Sequence, residues 1–302
     1  MDEEAMEAMR HIMRSQAAFA GMEVLTYCFL ANHFHIFVRL DPKETEDLDD
    51  AGLVTRFRAL YGGTRCASLG LDADDLEVIL KKNGSSADGI RRRLKARMGD
   101  VSVYMREVKT RFTLWYNQEH GTVGTFWAER FRSVVVEADS EAQRMVAAYI
   151  DLNPVRAGLM EDAGDYGFSG FGEACSGGSA ARRGIARIEG QSSWTTQWHE
   201  RYRARLCSRM GPGERPSQRD DQSPSGEAEG EHKRGAVGAG EIGLLSKIRA
   251  FSESWVVGSA AWVESFCAAH GLLGFRRGRK PKPLAEEGGT GFSTVATLVK
   301  RD

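Results

Sequence analysis

The sequence predicts an α+β protein, and three observations carry that reading. Glu23 to Leu30 alternates in the manner of a strand, Ala31-Asn32 gives a tight turn, and the next run through Val38 is β-branched and aromatic, so the pair reads as a hairpin. Met6, Met9, Ile12 and Met13 recur at helical spacing between Glu3 and Phe19. Tyr104, Val108, Phe112 and Trp115 do the same in a helix that Asp100 or Ser102 caps and that runs to about Gln118.

The 302 residues allow one large domain or two smaller ones, and a hydrophobic content of 41% can fill a core. No apolar run reaches membrane-spanning length, and no secretory leader is present. The cysteines (Cys28, Cys66, Cys175, Cys207, Cys267) are odd in number, scattered and without a Cys-x-x-Cys pair. That argues against a disulfide framework or structural zinc and for a reducing cytoplasm. The net charge of −1 does not announce a nucleic-acid partner, but basic residues cluster at Arg91-Arg92-Arg93 with Lys95 and Arg97, and again from Arg276 to Lys282.

In chain order, Gly21 ends the first helix and the hairpin follows. On the first strand, alternation puts Val24, Thr26, Cys28 and Leu30 on one side and Leu25 and Tyr27 on the other. Thr45 to Tyr61 and Asp72 to Lys82 read as short helices, split at Gly62-Gly63. Gly89 to Met98 carries the first basic cluster. His120-Gly121 makes a turn, and Thr125 to Glu137 reads as a strand that turns Arg130 and Arg132 the same way. Glu141 to Asn153 reads as a helix that Pro154 stops. A Gly- and Ser-dense edge from Cys175 to Ala181 precedes a helix from about Trp194 to Met210. Residues 212–240 have almost no large apolar side chains and read as a disordered linker. Beyond them, Leu244 to Phe251 and Trp262 to Phe266 read as two helices around Val257-Gly258-Ser259, open either to a helix-turn-helix or to a small appendage.

Two constellations carry chemistry. His33 and His35 flank Phe34; on a strand they share a face about 6.6 Å apart, while Phe34, Ile36 and Val38 face the core. Taken alone, His-x-His more often marks structural histidines, and it needs a third partner. Tyr149 and Asn153 are four apart on a helix and share a face at its last turn. Taken alone, Tyr149 reads as a core tyrosine. Together, two imidazoles and an amide oxygen could bind a divalent ion while a phenol attacks a phosphodiester.

His33-Phe34-His35 resembles the HUH motif of single-tyrosine transposases. Tyr149-Ile150-Asp151-Leu152-Asn153-Pro154-Val155-Arg156-Ala157-Gly158-Leu159 resembles the nucleophile helix of the REP-associated tyrosine transposases. Trp115-Tyr116-Asn117, Gly124 to Trp127, Arg130-Phe131-Arg132-Ser133, Asp165-Tyr166, Ser169-Gly170-Phe171 and Phe251 to Val263 resemble further blocks of that family, in the same order. Together they cover most of the chain from Met22 to Cys175 and part of the C-terminus.

The resemblance implies a ferredoxin-like antiparallel sheet with helices on one side, in a β-α-β-β-α-β plan. Family members begin with a strand, whereas this sequence begins in a helix, so the first strand is expected to be missing from an N-terminally incomplete catalytic domain over residues 1–175. A helical extension (176–211), the linker and a small helical region (241–302), a candidate DNA-binding element, would follow. The resemblance makes Tyr149 the nucleophile, with His33, His35 and Asn153 as ligands of Mg²⁺ or Mn²⁺. It implies a cytoplasmic strand-transfer enzyme, monomer or homodimer, that cuts single-stranded or hairpin DNA through a 5′-phosphotyrosine. With a polyanionic partner, Arg91, Arg92, Arg93, Lys95, Arg130 and Arg132 become candidate phosphate contacts, and Phe126 and Trp127 candidate base-stacking residues. The alternative is a derived protein that binds hairpin DNA without cutting it; a hydrolase in which water attacks is a third reading.

Overall fold

The computed structural model describes residues 1–41, 43–209, 254–270, 282–283 and 292–296, a mixed α/β chain that divides into two compact units. The first comprises Met1–Phe131 with Phe168–Gly170, and the second Arg132–Gly167 with everything from Phe171 onward. The expected linker over 212–240, the helix from Leu244 to Phe251 and the basic run from Arg276 lie outside the described residues, apart from the backbone of Lys282.

The first unit is built on α1 (Glu3–Ala20), β1 (Met22–Phe29) and β2 (Phe34–Leu40). Asp2 caps α1 by accepting from the Ala5 amide, and Gly21 ends it in a left-handed conformation at φ +72°. β1 and β2 form the expected antiparallel hairpin. The register shifts between Val24 and Thr26, so Leu25 is a bulge. An inserted residue flips every later side chain to the other face. The expected sides of β1 are therefore corrected: Met22 and Val24 share the core face with Tyr27 and Phe29, and Thr26 and Cys28 lie opposite Phe37 and His35.

Phe34, Ile36, Val38 and Leu40 of β2 join that core face, as alternation predicts, together with Met6, Met9 and Met13 of α1 and Tyr104, Val108 and Phe112 of α6 (Val101–His120). Both long helices thus lie on one side of the hairpin. On the other edge of β1, the Phe29 amide donates to the Phe168 carbonyl (3.0 Å) and Cys28 bridges Ser169. Gly170 passes so close that a Cβ there would sit 2.9 Å from the Thr26 Cα. Among the described residues, β2 pairs only with β1.

A second core in this unit gathers α3 (Asp50–Tyr61), α4 (Ala73–Lys82) and α5 (Ser85–Lys95) around Phe19, Phe57 and Leu76. The segment expected as one helix from Thr45 is two: α2 (Lys43–Glu46), then α3, which restarts at the Asp49 cap. Asp72 and Asp75 form a reciprocal capping box on α4.

In the second unit the strand expected over Thr125 to Glu137 shrinks to β3 (Val135–Val136). Ser140 caps α7 (Glu141–Asp151), which stops short of Asn153; α8 (Asn153–Arg156) follows as a separate turn, with Pro154 where its missing N–H costs nothing. α9 (Gly170–Cys175), α10 (Ser179–Ile188) and α11 (Thr196–Arg209) come next, so the Gly- and Ser-dense edge is largely helical. The helix-turn-helix expectation is also corrected. Val257-Gly258-Ser259 ends a strand, β4 (Ser254–Ser259), which runs straight into α12 (Ala260–Ala269). β4 lies parallel to β3 and antiparallel to β6 (Phe292–Ala296), which also pairs with β5 (Lys282–Pro283). Gly258 has no room for a side chain, since a Cβ would meet Trp262 at 2.5 Å and Glu137 at 2.8 Å. β-Branched valines at 256 and 257 suit a strand better than a helix end.

Candidate functional site

His33 sits just before β2 and His35 inside it. Their rings meet edge to face, with centroids 5.3 Å apart. His35 pairs with Cys28 in the ladder, which turns it away from the Tyr27–Phe29 core face. His33 Nδ1 lies 2.7 Å from Asn32 Oδ1. A carboxamide oxygen accepts, so Nδ1 carries the proton and the Nε2 lone pair stays open to a cation. Enough of the exposed His33 ring is shielded to push its pKa below the ordinary histidine value, which also favours the neutral form.

A nitrogen–metal bond of about 2.1 Å places each ring centre about 3 Å from a shared ion, so centroids 5.3 Å apart suit two ligands of one ion. Among the described residues no cluster of three or more His, Cys, Asp or Glu side chains forms a metal cage. The remaining donors to such an ion would have to be of another kind, such as amide oxygen or water.

In the second unit, Tyr149 lies on the last turn of α7, half-buried against Ala142, Met145 and Val257. Asn153 follows at the start of α8. Its Nδ2 donates to the Tyr149 carbonyl (2.8 Å) and the Ile150 carbonyl (3.3 Å). Both partners can only accept, which fixes the amide by its nitrogen end and leaves Oδ1 as the end able to meet a cation. The guanidinium of Arg156 lies over the Tyr149 ring, 4.9 Å from its centroid. Tyr149, Asn153 and Arg156 thus form one local group. The sequence reading did not single out Arg156, although its place seven residues after Tyr149, on the same helical face, was a usable signal. Nor did it single out Asn32, which a neighbouring imidazole would need to fix its tautomer.

The group is braced from beneath by Asp151. This carboxylate is fully buried, accepts from the Tyr202 hydroxyl at 2.6 Å and from the Phe171 amide at 3.2 Å, and so ties the end of α7 to α9 and α11.

The candidate DNA contacts fare differently from one another. Arg91 grips both carboxylate oxygens of Asp50 at 2.8 Å, and also bonds Asp88 (2.7 Å) and Asn83 (3.0 Å), so its donors are engaged inside the fold. Arg93 donates to the Ser68 carbonyl and Lys95 to the Glu46 carbonyl. Arg92 is exposed. Arg130 and Arg132 are exposed in irregular chain, one at the end of the first unit and one at the start of the second. Phe126 and Trp127 are half-buried core residues: the Trp127 ring meets Phe34, Phe112 and Phe126 within 5.3 Å, and its Nε1 donates to the Lys109 carbonyl. His120 stacks on Tyr116 at the C-terminus of α6, in keeping with a turn residue.

No described helix is long and apolar enough to cross a membrane. Compared with known proteins, the chain matches no family model, no curated protein and no solved structure.

Proposed function

We propose that this chain is a metal-dependent DNA strand-transfer enzyme of the single-tyrosine HUH type, acting on single-stranded or hairpin DNA. The observation that carries the proposal is the histidine pair, two imidazoles with ring centroids 5.3 Å apart, His33 just before β2 and His35 on its face opposite the core. The Tyr149–Asn153–Arg156 group adds a phenol, an amide oxygen and a cation. The ferredoxin-like plan belongs to the same proposal; the α1–hairpin–α6 layer is consistent with it.

His33, His35 and Asn153 would hold the ion, Mg²⁺ or Mn²⁺, with water completing its shell. When bound, it supplies Lewis-acid polarisation of a phosphodiester. The Tyr149 Oη attacks phosphorus, the P–O3′ bond breaks, and the phenolic proton ends on the departing 3′-oxygen. The products are a 5′-phosphotyrosine and a free 3′-hydroxyl. One phosphodiester replaces another, so rejoining requires no nucleotide cofactor. Function requires the histidine pair and the tyrosine group to act on one phosphate, within a chain or between two copies. Five free cysteines accord with a cytoplasmic setting.

Incubation of the full chain with hairpin DNA and Mn²⁺, followed by denaturing electrophoresis, tests this. The expected result is a covalent protein–DNA adduct that is absent in Tyr149→Phe and falls on the order of 100-fold in His35→Ala. Hairpin binding with no adduct under Mg²⁺ or Mn²⁺ would instead identify a non-cutting binder, and free 5′-phosphate without an adduct a hydrolase.

A further inference from the structure

Arg156 stands out among the arginines near the candidate nucleophile. It is exposed and joins no ion pair among the described residues, yet it is not loose. Its guanidinium lies over the Tyr149 ring, and its backbone is fixed in α8, whose first residue is tied by its side chain to the Tyr149 carbonyl. The cation and the phenol are therefore neighbours on one surface. A guanidinium held over a ring by its central carbon keeps N–H donors that can turn to a phosphate, and those donors match phosphate oxygens. The neighbouring arginine on α7 is spent differently: Arg144 pairs with Glu141.

We propose that Arg156 is the phosphate anchor of the Tyr149 centre. It receives a backbone phosphate of single-stranded DNA at its guanidinium edge and sets that phosphate beside the Tyr149 hydroxyl. This rests on the strand-transfer reading for its chemical consequence, but not for binding. Stacking on the ring fixes where the cation sits before DNA arrives, so little side-chain entropy remains to be lost on binding. A lysine at this place would keep the charge and lose both the stack and the fork.

The test uses the full chain, a DNA hairpin with a single-stranded flank, and three variants: Arg156→Met, Arg156→Lys and Tyr149→Phe. Affinity is measured against salt, and adduct formation is followed in a single turnover. One phosphate contact on single-stranded DNA contributes a slope of about 0.7 in log affinity against log salt. Arg156→Met should lower the slope by about that amount and slow the adduct on the order of 100-fold. Arg156→Lys should restore the slope and only part of the rate. Tyr149→Phe should keep the wild-type slope, because the ring under Arg156 remains, and abolish the adduct. An unchanged slope in Arg156→Met overturns the anchor, even if the wild type forms adduct. A lowered slope in Arg156→Met, when even the wild type never forms adduct, upholds the anchor and removes the strand-transfer reading. Equal slope losses in Arg156→Met and Arg156→Lys, with thermal melting lowered alike in both, would show a packing role and also overturn it.

Discussion

The two candidate groups, the histidines in the first unit and the tyrosine group in the second, are held in place by opposite means. The histidine group stands on a hairpin whose second strand has one bonded edge among the described residues, and His33 is oriented by an exposed carboxamide from Asn32. The tyrosine group sits on a helix end pinned from below by a buried carboxylate that serves two donors. Asp151 lies two residues from both Tyr149 and Asn153, but it faces the interior. The difference teaches that the charged residue nearest a nucleophile can serve the scaffold, while the cation that faces the phenol comes from the next helical turn.

If that contrast is real, its largest consequence is in Asp151→Ala. Two buried donors, the Tyr202 hydroxyl and the Phe171 amide, would lose their acceptor at roughly 1–3 kcal/mol each, so a destabilisation of about 3 kcal/mol is expected by chemical denaturation. Tyr202→Phe removes one bond and should cost about 1.5 kcal/mol. A smaller loss for Asp151→Ala than for Tyr202→Phe would show that the carboxylate is no brace. Burial first, then the adjacent Asp151 carboxylate, holds the Tyr202 phenol well above its ordinary pKa. A raised folded pKa stabilises the protonated form. The contribution is therefore fully present below the unfolded value of about 10 and drains away as pH rises above it. Alkaline unfolding should be shallower in Tyr202→Phe than in the wild type.

The hairpin side is sharpened by Gly170→Ala. A Cβ there would press on the Thr26 backbone at 2.9 Å, an approach that no flexible side-chain end can relieve. Overpacking of this kind costs about 2 kcal/mol. Gly167→Ala, with nothing within 4 Å of its Cβ position, should stay within about 0.5 kcal/mol. Similar costs at the two glycines would mean that the Phe168–Gly170 segment does not brace β1.

A smaller effect concerns the ion alone. Asn32→Ala frees the His33 tautomer and should weaken Mn²⁺ binding about tenfold by isothermal calorimetry, with stability unchanged. Because the folded pKa of His33 lies below its ordinary value, protonation of His33 should compete with Mn²⁺ only at a pH below that of an unperturbed imidazole, about 6.5.

Much of this scaffold was legible because its signals are local. Gly21 and Asp100 mark helix ends through backbone geometry and capping, and both do so here. The faces of Phe34, Ile36 and Val38 follow from a period of two. The bulge at Leu25 was not legible, because one inserted residue leaves the composition of a strand unchanged while flipping its faces. The Val257–Ser259 turn misled because Gly-Ser punctuates a helix pair and caps a strand-to-helix junction equally well. The valines at 256 and 257 lean toward a strand, and the pairing of β4 with β3 and β6 and the packing of Trp262 and Glu137 against Gly258 decide it. At the site, the His33 and His35 rings lie edge to face, with His33 just before the strand rather than on it. The orienting roles of Asn32 and Arg156 depend on which atom faces which, and residue types do not encode that.

The basic helix α5 shows the same limit and gives the smallest expected effect. Arg91, Arg92 and Arg93 are indistinguishable as letters, yet a helix turns consecutive residues by about 100°. Arg91 is carried back toward Asp50 and Asp88, Arg92 outward, and Arg93 toward the Ser68 carbonyl. A guanidinium already gripping a carboxylate by both its nitrogens gains little from a phosphate, because the old pair must break first. Arg91→Ala should therefore lower the denaturation midpoint and leave the salt slope of DNA binding where it was. Arg92→Ala should do the reverse, reducing the slope by at most about 0.7 with the midpoint unmoved. If Arg91→Ala instead takes the slope with it and spares the midpoint, the Asp50 pair yields to DNA, and the division between bracing and phosphate-facing arginines fails on this helix.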